Sequence, residues 1–429
     1  MPFRAHELLS VGLTLQGLDY AATPARGATW DDLDPAEFDR IRALALSGRG
    51  DRTLGDLSDR EIARALRVLT TDLDGVETIT LGAILIFGTD SALERWAPTA
   101  ECLFQDLRDG ARTVNESLRA PLLRAAEELE NRVSLRNTET ELQVGLHRVG
   151  IPMVSSATVR EGLANAMVHR DYSELGPSVV QFAEDEFRIH SPGGFLPGVT
   201  LENLLEQSKP RSVVLADAFK RSGLVDRRGM GINDMFDSQL RAGRDEPDFT
   251  KSTSRSVTLT IGTGTANIDF VRFILSYEDE TQRPLNLPEL RLLHRLVAVG
   301  SSTAAELSTD LHLTDGAVRT TVARLVERDL VEARGNGRNR RLHTTARYYK
   351  MAEDRNAYVR LRGIDAARQD EMVVQYVQTF GSITRGQVAE LCQLTSDQAR
   401  TVLRRLVSAG RLALRGERRR AHYVSAVDE

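Results

Sequence analysis

The chain is poor in cysteine and tryptophan and has no long hydrophobic run. Its 429 residues include 2 cysteines and 2 tryptophans. Cys102 and Cys392 lie far apart, so we expect neither a disulfide framework nor a zinc knuckle. No apolar stretch approaches the roughly 18 residues that span a bilayer, and the first residues lack the pattern of a secretory signal. These absences predict a cytoplasmic protein without a membrane partner.

Charge is distributed unevenly along the chain. The formal net charge is −5, from 56 Lys and Arg against 61 Asp and Glu. From Arg283 onward, however, about 25 basic residues stand against about 17 acidic ones. A basic end on an otherwise acidic chain indicates where a nucleic-acid partner should be sought.

The length and the pattern of apolar and turn residues predict a multidomain α+β protein of about three compact units. Residues 1–142 contain no catalytic cluster and are interpreted as a scaffold or dimerisation domain. Residues 77–88 fit a buried strand or a short core helix equally well. The other elements expected are helices over 158–170, from about residue 201 and over 213–222, a hairpin over 178–191, a strand over 256–262, and a linker over 265–284.

The basic end contains an internal repeat. The segment that begins at Leu313 aligns without a gap with the segment that begins at Leu394. Each copy has a short helix pattern, a turn, a longer helix pattern, and two strand-like stretches around an Arg-rich turn. This order is a helix-turn-helix with a wing, and it resembles the winged-helix family. The resemblance covers 285–350 and 366–429, with a linker over 351–365.

The resemblance implies binding to double-stranded DNA, because a helix fits the major groove and guanidinium groups suit phosphates. The residues expected to reach base edges are Asp315, Arg319, Thr320, Gln398, Arg400 and Arg404. The wing residues expected to contact phosphate or the minor groove are Arg338, Arg340, Arg341, Arg418, Arg419 and Arg420. Winged helices also serve as protein-contact modules, in which case these residues are solvated surface. Two copies with two basic wings favour DNA, and two reading units per chain suit a monomer or a dimer.

The stretch 160–172, "REGLANAMVHRDY", concentrates polar side chains. "HRD" is typical of a protein-kinase catalytic loop, but the Asn required five residues after Asp171 is Gly176, and the other kinase motifs are missing. A Walker motif is also missing. A third interpretation uses spacing: Glu161 and Asn165 are four residues apart, so one helical face presents a carboxylate and a carboxamide. Two glycine clusters follow, at Gly193–Gly194 and around Gly229–Gly231.

This order of motifs resembles the GHKL (Bergerat) ATP-binding domain of gyrase, MutL and histidine kinases. More closely, 143–264 resembles a divergent branch found in bacterial transcriptional regulators, where it follows an AlbA-like (Schlafen-type) domain and precedes winged helices. The resemblance implies that Asn165 chelates Mg²⁺ and that Glu161 is a general base. It also implies that the base and phosphates of ATP contact Ser191, Gly193, Gly194, Arg228, Gly229 and Gly231.

Two departures separate the chain from that family. The parent fold has an adenine-binding Asp where Ser191 or Pro192 stands here, and no complete AlbA-like domain precedes the motifs. In the alternative interpretation the fold is kept without a ligand, and Glu161 forms a local ion pair with Arg170. Lys209 and Arg211, in the segment that replaces the family's glycine-rich lid, suit either phosphate contacts or solvent.

These patterns lead to a functional hypothesis with two alternatives. The expected protein is a DNA-binding transcriptional regulator in which a degenerate ATP-binding sensor domain controls two winged helices and in which the chain is a homodimer. One alternative is an ATPase that acts on DNA or on a partner. The other is a protein-interaction scaffold without catalytic activity.

Overall fold

The computed structural model describes residues 19–47, 50–71, 75–110, 113–144, 147–207, 209–225, 230–334, 340–345, 347–348, 366–392, 394, 396–416 and 422–426. The chain divides into two compact units, 1–342 and 343–429. Six of the predicted site residues lie outside the described residues: Arg228, Gly229, Arg338, Arg418, Arg419 and Arg420.

The first unit begins with helices and a small hairpin. Its first helices are α1 Pro35–Ser47, α2 Asp59–Ala65, α3 Leu81–Phe87, α4 Asp90–Trp96 and α5 Leu122–Ser134. Its first strands are β1 Leu69–Thr71, β2 Glu77–Ile79, β3 Cys102–Asp106, β4 Val114–Leu118, β5 Glu139–Val144 and β6 His147–Pro152. The ambiguous segment 77–88 therefore holds both a strand and a helix, and Thr80 caps the helix by accepting from the backbone N–H of Ala83.

The middle of the chain follows the predicted order. It contains α6 Ser156–Val168, β7 Ser178–Phe182, β8 Glu186–Pro192, α7 Val213–Ser222, α8 Gly231–Arg241, β9 Ser256–Gly262 and α9 Ile268–Thr281. Helix α7 begins after Ser212, whose hydroxyl accepts from the backbone N–H of Leu215, and it ends at Gly223 with φ 88°. A Ser N-cap and a left-handed Gly at the end explain why these bounds match the prediction.

A five-stranded mixed sheet in the order β4-β3-β7-β8-β9 supports this middle region. Strand β3 pairs with β7 in parallel, and the other neighbours are antiparallel. Strands β3 and β4 come from the segment that was expected to form a separate first domain. One continuous core, from Ala21 to Ile261, packs against the sheet. The boundary expected at residue 142 therefore does not separate two cores.

Two predicted segments differ from the structure. The helix expected from residue 201 is a series of turns, because Asn203 accepts from the Thr200 N–H and donates to the Gly198 carbonyl, which offers the backbone an alternative to helical bonds. The linker expected over 265–284 contains α9, which buries Phe270, Phe273 and other apolar residues and is capped by Asn267.

The first winged helix follows α9. It comprises α10 Leu287–Val299, β10 Ser302–Thr303, α11 Ala304–Asp310, α12 Asp315–Glu327, β11 Val331–Arg334 and β12 Arg341–Thr344. Helices α10 and α11 each begin with a capping box, and Thr314 caps α12 by accepting from the backbone N–H of Ala317. The strands form a small sheet in the order β10-β12-β11. Helix, turn, helix and wing strands therefore occur in the predicted order.

The second unit repeats the pattern. It comprises α13 Ala366–Phe380, α14 Arg385–Leu391, α15 Ser396–Ser408, β13 Leu412–Arg415 and β14 His422–Ser425, and the two strands pair antiparallel. A separate core contains Val388, Leu403 and Leu412. Within the described ranges of both units, no helix combines the length and apolar character that crossing a membrane requires.

Candidate functional site

Helix α6 carries the two polar residues that define the candidate site. Glu161 and Asn165 lie one turn apart, and the Asn165 amide donates to Glu161 Oε1 at 2.9 Å. Both side chains are partly exposed, whereas Gly162, Leu163 and Ala164 beside them are buried. The predicted shared face is therefore present. Its carboxylate is hydrogen-bonded to the carboxamide rather than to Arg170.

The second glycine cluster meets this face at Gly231, the first residue of α8. A Cβ atom at Gly231 would lie 1.9 Å from Glu161 Cδ and 2.0 Å from Oε1. The Glu161 carboxylate thus packs directly on the Gly231 backbone, and only glycine leaves room for it. A negative charge at the start of a helix is favourable, because the first backbone N–H groups and the helix dipole face it.

Close packing also explains why glycine occupies both positions of the first glycine cluster. Gly193 has φ 100°, and a Cβ there would lie 2.7 Å from the Asp171 Cβ. At Gly194, a Cβ would lie 2.3 Å from the Ser254 carbonyl oxygen. These glycines therefore permit close backbone packing between the end of β8 and the segments on either side of it.

These residues surround one cavity of about 360 Å³. Most of the lining side chains are apolar, which suits a flat organic ring. The predicted site residues in the lining are Glu161, Asn165, Ser191, Gly193, Gly194 and Gly231. The apolar lining includes Ile189, Phe195, Leu196, Val199, Leu204, Phe219, Met235, Phe249 and Leu259.

Ser191 is one of the two residues, with Pro192, that stand where the resembled family has a carboxylate, and its hydrogen bond limits what it can do. Its buried hydroxyl donates to the Ala166 carbonyl at 2.7 Å, near the end of α6. The hydroxyl proton is therefore engaged, and the oxygen can only accept from a ligand. An acceptor suits an exocyclic amine, although a hydroxyl is a weaker acceptor than a carboxylate.

His169 and Arg211 both line the cavity and are hydrogen-bonded to each other. Burial, together with the nearby Arg211, lowers the pKa of His169 to about 4, so the imidazole is neutral at physiological pH. The Arg211 guanidinium donates to the carbonyls of His169 at 2.8 Å and Gly194 at 2.6 Å and lies 3.7 Å from the Asp171 carboxylate. Arg211 therefore ties the two sides of the site together and is neither a solvated residue nor an uncommitted phosphate ligand.

Arg170 has a structural role that the alternative interpretation misassigned. It is 3% exposed, and its guanidinium donates to the carbonyls of Thr99 and Gly176 at 2.6 Å each. The predicted ion pair with Glu161 is therefore wrong. Asp171 accepts from the N–H of Ser173, which forms the tight turn that follows α6.

Two lysines supply uncommitted positive charge at the cavity. Lys209 and Lys220 both line it and are exposed. Neither side-chain ammonium group makes a hydrogen bond or ion pair with another residue that the structure describes. Lys209 was named as a possible phosphate contact from the sequence. Lys220 was not, because it lies on α7, outside the motifs that indicated the site.

The cavity fits a nucleotide in shape and in donor set. An apolar wall, an acceptor at Ser191 and two lysines match a base and an anionic phosphate chain. Asn165 would hold Mg²⁺, together with phosphate oxygens, since Mg²⁺ prefers a few protein oxygens and completes its octahedron with phosphate and water. In the described part of the chain, no group of three or more His, Cys, Asp or Glu side chains could hold a metal without such a ligand.

The predicted DNA contacts lie on exposed faces of the winged helices. Arg319 is 76% exposed, and Asp315 and Thr320 are exposed on the same helix, α12. Gln398, Arg400 and Arg404 are exposed on α15, whose opposite face is buried.

The two described wing arginines are also exposed, but one of them is engaged. Both Arg340 and Arg341 lie at the surface. The Arg341 guanidinium donates to the side chain and the carbonyl of Ser301 at 3.0 and 2.8 Å, so it holds the wing to β10. Arg340 therefore stays a candidate for phosphate contact, whereas Arg341 has a structural role as well.

Three family models match separate parts of the chain. Residues 177–261 match "Putative ATP-dependent DNA helicase recG C-terminal", an HATPase-type family, and this range covers β7 to β9 but not α6. Residues 286–429 match "DNA glycosylase AlkZ-like", and residues 16–103 match a domain of unknown function (DUF8451). The chain is thus a multidomain α+β protein with an HATPase-like region and a C-terminal AlkZ-like region.

Solved structures support the fold alone. The DIP2311 protein from Corynebacterium diphtheriae matches 99% of this chain and 73% of its own, with 19% identity and a TM-score of 0.60. ScpB from Mycobacterium tuberculosis matches 33% of this chain and 93% of its own, with 18% identity and a TM-score of 0.13, which carries no structural argument. No curated protein matches the chain.

Proposed function

We propose that this protein is a cytoplasmic DNA-binding transcriptional regulator in which the central cavity binds a nucleotide, Mg-ATP in the first instance. One observation supports the proposal most strongly. Glu161 and Asn165 of α6 meet Gly231, which lies more than 60 residues further along the chain, at one cavity together with Ser191 and the first glycine cluster. Two lysines and an apolar wall add the charge and surface that a nucleotide needs.

Several observations support the DNA-binding part. The winged-helix repeat extends over the same residues as the match to the AlkZ-like family, 286–429. Exposed arginines on α12 and α15 face solvent from helices with one buried side. Such helices suit the major groove, and two per chain suit a double-stranded site read by a monomer or a homodimer.

Calorimetric titration with Mg-ATP tests the nucleotide part. We expect saturable heat for the native chain and none for Asn165→Ala, because the variant loses the carboxamide that would hold Mg²⁺. Lys209→Ala should weaken binding without abolishing it, since one of two lysines is left. Absence of heat with the native chain would exclude the nucleotide role of the cavity.

A second candidate follows from the family match of the basic end. The match of residues 286–429 to the family described as "DNA glycosylase AlkZ-like" favours a test for base excision by this chain. Release of a free base from alkylated duplex DNA would identify repair rather than regulation. If the native chain released phosphate from ATP and Glu161→Ala did not, the result would instead support an ATPase with Glu161 as the general base.

A further inference from the structure

Helix α8 connects the cavity to the first winged helix. Its first residue, Gly231, supports the Glu161 carboxylate at the cavity. Hydrogen bonds fasten the last part of α8 to the start of α6: Ser238 Oγ lies 2.9 Å from both Ser155 Oγ and Thr158 Oγ1. The two helices that hold the site residues are therefore locked together by buried and half-buried polar contacts.

The opposite side of α8 contacts Arg291 of α10. Arg291 is 6% exposed, and its guanidinium lies 5.6 Å from the centre of the Phe236 ring. It forms two hydrogen bonds with Glu246, just after α8, at 2.7 and 2.8 Å. A planar guanidinium with a bidentate carboxylate is a directional contact that resists sliding.

Arg291 also reaches the turn of the helix-turn-helix. Its Nη2 donates to the Leu311 carbonyl at 2.8 Å, and Leu311 ends α11 shortly before α12 begins. One side chain thus connects the cavity-bearing helix α8, the Glu246 loop and the turn that orients the DNA-reading helix.

A second contact fixes the far end of α8. The Arg241 guanidinium lies 2.9 Å from the Glu278 carboxylate of α9 and donates to the Leu285 carbonyl at 2.8 Å. Leu285 immediately precedes α10 and its cap, Asn286. Helix α8 is therefore held at its start by the cavity and at its end by the segment that leads into the winged helix.

We propose that Arg291 couples the cavity to the first winged helix, so that nucleotide binding in the cavity changes the affinity of this winged helix for DNA. The inference rests on the proposed function. Glu161 and Gly231 both line the cavity, so a nucleotide bound there contacts the start of α8 and displaces it. Because α8 is bonded to α6 and to Arg291, that displacement reaches Leu311 and biases the orientation of α12.

The test compares Arg291→Met with Arg295→Met in the full chain. Arg295 lies one turn further along α10 and makes an exposed ion pair with Asp310 inside the winged helix, so it is a matched control. Hydrogen–deuterium exchange without ligand should show at least about tenfold faster exchange in 231–241 for Arg291→Met and native rates for Arg295→Met. Native exchange rates in both variants would contradict the coupling role of Arg291.

DNA affinity measured with and without Mg-ATP gives the second readout. The native chain and Arg295→Met should share one affinity ratio, and Arg291→Met should bring that ratio to about one while still binding Mg-ATP. A native ratio in Arg291→Met overturns the inference and leaves the proposed function standing. A ratio of one in the native chain overturns the proposed switch itself.

Glu246→Gln keeps the test decisive if Arg291→Met fails to fold. Glutamine preserves the shape and one acceptor, so the ratio should fall part of the way towards one. Where Arg291→Met folds, a double-variant cycle gives a second check: Glu246→Gln should have no further effect on the ratio once Arg291 is replaced. Independent effects of the two changes would contradict coupling through the Arg291–Glu246 pair.

Discussion

Alanine at Gly231 separates a ligand-binding effect from a folding effect. The new Cβ would lie 1.9 Å from Glu161 Cδ and 2.1 Å from Oε2. Since non-bonded carbon atoms prefer about 3.5–4.0 Å, the carboxylate must move by more than about 1 Å. It is the end of a flexible side chain, so it can move by a rotamer change without a shift of the backbone.

The stability cost of Gly231→Ala is small for this reason. Loss of the Asn165–Glu161 hydrogen bond costs about 0.5–1.5 kcal/mol. Alanine in place of glycine in a helix returns about 0.5–1 kcal/mol. The two terms nearly cancel, so we expect the free energy of unfolding to change by less than about 1 kcal/mol.

Gly194→Ala is the matched contrast. Its Cβ would lie 2.3 Å from the Ser254 carbonyl oxygen, which is backbone and cannot turn away. The two segments must separate, and overpacking of this kind costs about 1–3 kcal/mol. Urea denaturation should therefore show a lower midpoint for Gly194→Ala than for Gly231→Ala.

Titration with Mg-ATP completes the comparison. Gly231→Ala should weaken binding at least about tenfold, about 1.4 kcal/mol, at nearly native stability, because the Glu161 carboxylate is displaced within the site. Equal destabilisation by the two alanines would refute the steric reasoning. Native affinity in Gly231→Ala would show that a ligand does not use this end of the cavity.

Three further predictions follow from single contacts. Ser191→Ala should destabilise the fold by about 1–2 kcal/mol in urea denaturation, because the Ala166 carbonyl loses its buried donor, whereas Ser191→Thr, which keeps a hydroxyl, should be milder if the added methyl group fits. The pKa of His169 is lowered to about 4 from 6.5, so its contribution to the free energy of unfolding is present above pH 6.5 and is lost as the pH falls towards 4, by up to about 1.4 kcal/mol per pH unit. His169→Gln should remove this part of the pH dependence. The same pH dependence in the variant and the native chain would place the imidazole in solvent. Replacing Arg319 and Arg400 by Ala should weaken binding to duplex DNA and flatten its salt dependence in fluorescence anisotropy, whereas Arg405→Ala, which breaks an ion pair with Asp370, should act mainly on stability.

Local signals predicted the elements of the middle region well. The sequence predicted the strands of the 178–191 hairpin and β9, and a Ser cap with a terminal glycine defined α7. The spacing of Glu161 and Asn165 also predicted their shared face, because one helical turn brings them together whatever surrounds the helix.

Contacts between distant segments were not predictable in the same way. The parallel pairing of β3 with β7 joins segments about 76 residues apart, and no local pattern specifies which strands share a sheet. The sequence left Arg211 as either a phosphate contact or a solvated residue, because only the fold brings it to the carbonyls of His169, just after α6, and Gly194, just after β8. Helix α9 was not predicted, because the glycine-containing segment before it is typical of a linker and Asn267 was not identified as a helix cap.

The most direct test of the account is the dissociation constant of one duplex DNA, measured by fluorescence anisotropy at fixed salt with and without saturating Mg-ATP. Native chain and Asn165→Ala are compared side by side. Mg-ATP should change the constant for the native chain and leave it unchanged for Asn165→Ala, with equal DNA affinity of the two proteins in the absence of nucleotide. The same constant with and without Mg-ATP in a native chain that binds both ligands would contradict it.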